Sequence, residues 1–508
     1  MTRSQPTRDN GLTIAEWRFD RLRRQSGFVL APLVFIGLLL YPMPSLTPQA
    51  HRLAAIAAAT AVLWMTESLP LPVTALLAAT ACVVLRVAKA QEVFPTFADP
   101  VIFLFIGSFI LARAIFVHHL DRRLAEYVIN LPWIGARPAR VLWAMGALTF
   151  FISMWISNTA TAAMMLPIGL SIIGRLPTVN GELLPQDRRY AAALMLIIAY
   201  AASVGGIATP VGTPPNVLTM GFLRQLTPYS ISFFGWMLVA LPITLLIFGL
   251  IALLLAWSSP ASVNELSLVN APARGSLTRA QRSVAIAFTL TVTLWILPGA
   301  IGIFLGPDHP WSRALQEVLP ESVASLIGAV SLFILPADPE VPGVTRRAMR
   351  WSEAAAIDWG TVLLFGGGLT LGHLLRQTGL AEQIGEALKG LVQVDSPLGA
   401  GLLMIFVATL VSVLMSEFLS NTASATMLIP IVIATAQSAQ LHPLPATLGA
   451  AFGATMGFML PVSTPPNAIA YGSGYIPITR MVRYGVFLDV IGIITITVGV
   501  YLLSSLIQ

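Results

Sequence analysis

A run of twelve residues carrying hydroxyl and amide chemistry occurs twice in this chain. It reads Ser157-Asn158-Thr159-Ala160-Thr161-Ala162-Ala163-Met164-Met165-Leu166-Pro167-Ile168 and returns as Ser420-Asn421-Thr422-Ala423-Ser424-Ala425-Thr426-Met427-Leu428-Ile429-Pro430-Ile431. Eight of the twelve positions are identical, and three of the four differences are conservative. Each copy sets three small polar side chains at the head of an apolar run. In hydrocarbon such a cluster is costly unless it is hydrogen-bonded or lines a cavity. One copy could be explained by hydroxyls bonding a preceding helix carbonyl. Two copies argue for one site built from related halves.

A second pair of landmarks follows the first. Gly205-Gly206-Ile207-Ala208-Thr209-Pro210-Val211-Gly212-Thr213-Pro214-Pro215-Asn216 is matched, in its last seven residues, by Pro461-Val462-Ser463-Thr464-Pro465-Pro466-Asn467. So much Gly and Pro within apolar sequence predicts an unwound membrane helix. Ser, Asn and Thr supply donors and acceptor oxygens. At a hairpin tip they also stand at a helix N-terminus, where free N–H groups and the dipole favour an anion. Carbonyls freed by the Pro-Pro breaks, with hydroxyl oxygens, suit a small hard cation. No Lys, Arg or His lies within 153–168, 205–219, 416–431 or 461–470. A dianion held there needs other compensation, and co-bound Na⁺ is the natural one. Glu417 is the one charge in these windows, either a proton-coupling carboxylate or a cap on the second hairpin.

The elements that must position these residues belong in a bilayer. The 508 residues are 56% hydrophobic and 10% charged, against about 25% charged in a soluble domain. Phe28–Met43, Phe233–Trp257, Val284–Ile303 and Val486–Ile507 approach or reach bilayer length, which takes about 20 residues. The net charge of +6 is concentrated partly in the N-terminal arginines Arg3, Arg8, Arg18, Arg21, Arg23 and Arg24. Without aromatic interleaving or a basic domain, this reads as orientation by the positive-inside rule, and not as nucleic-acid binding. The single Cys82 is a buried small hydrophobe and allows no intrachain disulfide.

The expected architecture is an all-α polytopic membrane protein. Residues 1–27 form a basic cytosolic tail, with Glu16 to Arg24 as a short surface helix, and 28–50 hold the first transmembrane helix. A first inverted repeat spans 51–257, with a re-entrant hairpin at about 141–176 whose second arm Pro167 closes early. A cytosolic linker covers 258–282, and a second repeat spans 283–508, with its hairpin at about 400–437. Leu104–Leu111 corresponds to Leu364–Leu371, so the order of landmarks is the same in both halves. Glu67 reads as a capping or interfacial carboxylate, and His118-His119 as a surface pair, since helix neighbours do not face one another. With five spans per repeat after the first helix, 22 basic residues fall inside and 7 outside. That gives eleven spans, a cytosolic N-terminus and an external C-terminus.

The doubled Ser-Asn-Thr motif, each copy followed by Thr-Pro-Pro-Asn, resembles the divalent anion/sodium symporter (DASS) family of di- and tricarboxylate or sulfate carriers. The resemblance covers nearly the whole chain beyond the basic tail. It implies eleven helices, two re-entrant hairpins, a homodimer and an elevator movement of a transport domain against a scaffold. By position, substrate carboxylates would meet Ser157, Asn158, Thr159, Ser420, Asn421 and Thr422, flanked by Thr213, Pro214, Thr464 and Pro465. One Na⁺ site would use Ser153, Ser157, Asn158 and Gly212. The other would use Ser416, Asn421, Ser463 and the carbonyl of Leu419. Ser416 and Ser463 stand where Thr and Ala are expected in close relatives. Both keep a backbone carbonyl, and Ser416 keeps a hydroxyl.

The expected function is Na⁺-coupled symport of small dicarboxylates such as succinate, malate or fumarate across the plasma membrane. Two separated donor clusters suit two separated carboxylates. A Na⁺-independent exchanger or a sulfate carrier of the same fold is the alternative. An intramembrane enzyme is disfavoured, because neither His-Glu-x-x-His nor Gly-x-Ser-x-Gly occurs. A channel is the remaining rival.

Overall fold

The structure is a computed structural model that describes residues 14–129, 134, 137–180, 182–265, 276–306, 309–339, 346–392 and 396–507. The tail arginines Arg3 and Arg8, and Pro272 and Arg274 of the linker, lie outside the described residues. The described chain is almost wholly helical, with two short antiparallel ladders, Thr178–Val179 with Glu182–Leu183 and Pro336–Ala337 with Arg346–Arg347. Among the described residues, seven helical stretches are long and apolar enough to cross a membrane, and eight if the pair Pro310–Val318 and Glu321–Ile334, bent by 55°, is one span.

The first helix is longer than expected. It runs unbroken over Ile14–Leu40, so the basic segment is its opening and not a separate surface helix. No proline interrupts Glu16 to Phe28, and Gly27 stays helical where a Cβ would lie 2.0 Å from the Thr66 hydroxyl. Glu67 ends the helix Pro48–Thr66 in a left-handed conformation and pairs with Arg23 at 3.0 Å, which is the capping role. His118 turns its Nε2 to the Ala348 carbonyl at 2.6 Å. Among the described residues no cluster of three or more His, Cys, Asp or Glu could hold a metal.

Both copies of the motif sit at the turn of a helical hairpin. The first hairpin is Pro138–Ser153 and Asn158–Ile173, each arm 16 residues. At 1.5 Å per residue each arm is about 24 Å long, short of the roughly 30 Å hydrocarbon core. Pro167 does not close the second arm, because the helix carries through it to Ile173. Proline costs a hydrogen bond and a kink, but packing on both sides can hold the helix together. The second hairpin is Pro397–Phe418 and Asn421–Ser438, and its 22-residue entering arm is long enough to span.

The first break is shorter than its Gly and Pro content implied, and the second, 454–464, is longer. Helix Pro185–Ile207 continues through Gly205 and Gly206, and only 208–213 is irregular before Pro214–Leu226 begins. These glycines serve close packing. A Cβ on Gly205 would lie 2.3 Å from the Phe150 carbonyl, and one on Gly206 would lie 2.1 Å from Asn158 Oδ1. In the second half, Pro443–Gly453 leads through an irregular stretch to the short helix Pro465–Tyr471. A Pro at the first helical position suits both restarts, since its N–H would be unpaired there anyway.

The halves interlock. Helix Pro465–Tyr471 of the second half packs on the arm Asn158–Ile173 of the first, and Pro214–Leu226 of the first packs on Asn421–Ser438 of the second. Phe105 and its counterpart Phe365 meet edge to face with ring centres 4.7 Å apart. Helix Pro185–Ile207 runs through the middle and is buried along its length from Tyr190 onward.

Candidate functional site

The two hairpin tips have the same construction. Ser157 precedes the first return arm in an extended conformation, and its hydroxyl accepts from Ala160 N at 3.4 Å. Ser420 does the same for the second, accepting from Ala423 N at 3.2 Å. The remaining N–H groups of each first turn have no helical partner and face the tip. Asn158 is buried, while Ser157 and Thr159 open to the surface. Ser420, Asn421 and Thr422 are half-buried, and Leu419 is buried behind them.

A cluster of oxygens lies under each tip. Ser153 Oγ is 2.9 Å from Asn158 Oδ1 and 2.6 Å from the Ala202 carbonyl. Ser416 Oγ is 3.1 Å from Asn421 Oδ1 and 2.8 Å from the Ala454 carbonyl. A serine hydroxyl has one hydrogen, so it serves one of those acceptors at a time. Each cluster therefore gathers three oxygens that share a single hydrogen, in a place without a basic side chain. That donor set fits a small hard cation, which would satisfy the surplus acceptors. Gly212 belongs to the first cluster: a Cβ on it would lie 2.5 Å from the Gly206 carbonyl and 2.9 Å from that of Ser153. Gly457, the counterpart of Gly206, lies near the second. A Cβ there would approach the Ser416 carbonyl at 2.9 Å and Ser463 Cβ at 3.1 Å.

An asparagine pins each break. Asn216 Nδ2 donates to the carbonyls of Gly206, Ile207 and Thr209 at 2.9, 3.3 and 2.7 Å. Asn467 Nδ2 donates to Gly457 and Leu460 at 3.0 and 3.1 Å. In both residues Oδ1 is buried without a donor, a second surplus acceptor in each half. Thr213 and Thr464 precede the restarts in matching extended conformations, φ −147° and −139°, and both are buried. Pro214 is half-buried and Pro465 exposed.

All the positions expected from the sequence thus fall on the two tips and two breaks. Within each half, Ser153, Asn158 and Gly212, or Ser416, Asn421 and Ser463, come together. Four structural partners were not singled out beforehand: Gly206, Gly457, Asn216 and Asn467. A signal existed, since in both halves a glycine stands ten residues before the asparagine it accepts from.

The halves differ in how break and hairpin are tied. In the first, the Thr209 hydroxyl donates to the Met154 carbonyl. In the second, the carboxylate of Glu417 accepts from Met459 N at 2.9 Å, Leu460 N at 3.3 Å and Ser463 Oγ at 2.7 Å.

Paired hairpin tips and interrupted helices within a largely helical membrane chain are the architecture of a secondary transporter. The family described as the sodium:sulfate symporter transmembrane region matches residues 23–507, and the chain belongs to that family. It is 33% identical over 487 residues to a sodium-dependent dicarboxylate transporter of Staphylococcus saprophyticus, covering 94% of this chain and 91% of that protein. The similarly named protein of Staphylococcus aureus strain USA300 is 33% identical over 486 residues, covering 94% and 90%. Among solved structures the fold is similar to the Alcanivorax borkumensis YdaH transporter, with a TM-score of 0.51 at 13% identity over 80% of this chain and 86% of that one. It is also similar to Neisseria gonorrhoeae MtrF, with a TM-score of 0.54 at 13% identity over 80% and 83%.

Proposed function

We propose that this chain is a Na⁺-coupled symporter of small dicarboxylates, with succinate, malate and fumarate as substrates. The observation that carries the reading is the oxygen cluster under each tip, where two acceptors compete for one hydroxyl hydrogen, below the unpaired helix N–H groups. Ser153, Ser157, Asn158 and Gly212 would hold one Na⁺. Ser416, Asn421, Ser463 and the Leu419 carbonyl would hold another. The substrate's carboxylates would take donors from Ser157, Asn158 and Thr159 on one side and Ser420, Asn421 and Thr422 on the other, with Thr213-Pro214 and Thr464-Pro465 flanking them.

The coupling follows from charge. A helix end supplies only about half a unit of positive charge, too little for a dianion in a low-dielectric interior. Cations in the two clusters supply the rest, so substrate affinity rises as they fill. Each asparagine would link the two events, since Oδ1 faces the cation and Nδ2 is left for the anion. The names of the 33%-identical relatives support both the ion and the substrate class. Within the repeats 51–257 and 283–508, a transport domain would move against a scaffold by an elevator mechanism, in a homodimer of the plasma membrane with N-terminus inside and C-terminus outside.

Uptake of labelled succinate into proteoliposomes, with and without an inward Na⁺ gradient, tests the reading. Accumulation that requires the gradient is expected. Uptake indifferent to Na⁺ but dependent on internal anion would indicate the exchanger, and preference for sulfate over succinate would replace the substrate.

A further inference from the structure

The Glu417 carboxylate that ties the second break to its hairpin is fully buried. Its three donors are bound by an acceptor that uses both oxygens. On the last helix, Ile478–Leu503, Asp489 faces Glu417 and the backbone of Phe458. Asp489 is 5% exposed, yet neither of its oxygens receives a hydrogen bond. Tyr200, wholly buried on the central helix, is close to both acids. Its hydroxyl lies 3.3 Å from the Phe458 carbonyl and 3.5 Å from that of Met481. Among the described residues no basic side chain is ion-paired with Glu417 or Asp489.

Two carboxyl groups shut away from water without a cation are strongly unfavourable. The counterpart of Glu417 in the first half is the neutral Met154, so nothing in the repeat requires an acid here. The group Asp489 meets is an acceptor already, and cannot donate to it while ionised. What this place lacks is positive charge, and what it offers is hard oxygen: two carboxylates, a phenol and main-chain carbonyls. Such a set suits Na⁺ and disfavours softer metals.

We propose that Glu417 and Asp489 bind a further Na⁺, one layer behind the oxygen cluster of the second hairpin and distinct from both tip sites. The inference rests on the Na⁺-coupled reading above. It gives Glu417 two roles. The carboxylate fixes Ser463 and the 459–460 backbone through its hydrogen bonds, and it shares an ion with the last helix. The second half thereby carries more cation-binding capacity than the first, although the tips are near copies.

Asp489→Asn keeps the shape of the side chain and removes its charge without touching Glu417's donors. Two quantities are measured on purified, full-length protein. One is the Na⁺ concentration for half-maximal thermal stabilisation without substrate. The other is the ratio of labelled Na⁺ to labelled succinate entering proteoliposomes. The variant should need about tenfold more Na⁺ or worse, and should carry one Na⁺ fewer per succinate. Asp489→Glu, which displaces the charge by one methylene, should shift the Na⁺ midpoint but keep the wild-type ratio. It also stands in if the Asn variant does not fold. A Na⁺ titration unchanged in a folded variant of either kind overturns the proposal while leaving symport intact. A variant that loses a co-transported proton, with its Na⁺ ratio intact, overturns it too. A wild type whose stability and uptake ignore Na⁺ instead removes the reading beneath it.

Discussion

Asn158 and Asn421 each stand between a serine hydroxyl and a helix N-terminus, so in the proposed site one amide would reach both a cation and an anion. Alanine at either position removes both contacts while leaving the helix cap in place. In each variant, succinate-dependent thermal stabilisation should disappear in the presence of saturating Na⁺, as read by a melting assay on detergent-purified protein. Gly206 and Gly457 provide a graded comparison. A methyl on Gly206 would come within 2.1 Å of Asn158 Oδ1, whereas one on Gly457 meets nothing nearer than 2.9 Å. Overpacking of this kind costs about 1–3 kcal/mol. Gly206→Ala is therefore expected to weaken Na⁺-induced stabilisation more than Gly457→Ala. Equal effects would mean that tip contact is not what these glycines protect.

The breaks depend on their asparagines for shape. Three carbonyls of the first break share Asn216 Nδ2, and two of the second share Asn467 Nδ2. Losing the amide leaves buried carbonyls unpaired, at about 1–3 kcal/mol for each group stranded. Asn216→Ala should accordingly lower the melting temperature more than Asn467→Ala, measured without substrate. Much of this was legible in the sequence, because a repeated Thr-Pro-Pro-Asn marks a helix that stops and restarts. The length of the interruption was not. Gly205 and Gly206 look like breakers in one dimension, but they are helical, since packing against Phe150 and Asn158 requires a missing side chain there. Pro167 is the same kind of case: it marks a weak point, and its neighbours decide whether the helix ends.

At the scale of the molecule, the positive-inside bias predicts an external C-terminus and a cytosolic N-terminus. The sole cysteine, Cys82, is buried, so a Cys82→Ser background accepts single reporter cysteines. An impermeant maleimide added to intact cells should label Ser505→Cys and spare Ser4→Cys, and the reverse pattern would invert the topology. The two halves meet through reciprocal packing of a restart helix on the other half's hairpin arm. That arrangement brings two sites separated by some 250 residues of sequence into one body.

The sequence by itself determined the solvent, the doubling and the chemistry. Apolar runs of bilayer length admit few folds, and hydroxyl and amide side chains repeated in hydrocarbon need hydrogen-bonding partners or a cavity wherever they end up. Only the tertiary structure decided which oxygens share a hydrogen. Ser153 finds Ala202, and Ser416 finds Ala454, through contacts that no local periodicity encodes. The same holds for Asp489, which reads in sequence as a lone acid on an apolar helix. Its meaning depends on Glu417, 72 residues earlier in the chain. Burial makes the pair consequential, because in a low-dielectric interior two like charges repel strongly unless a cation or a proton offsets them.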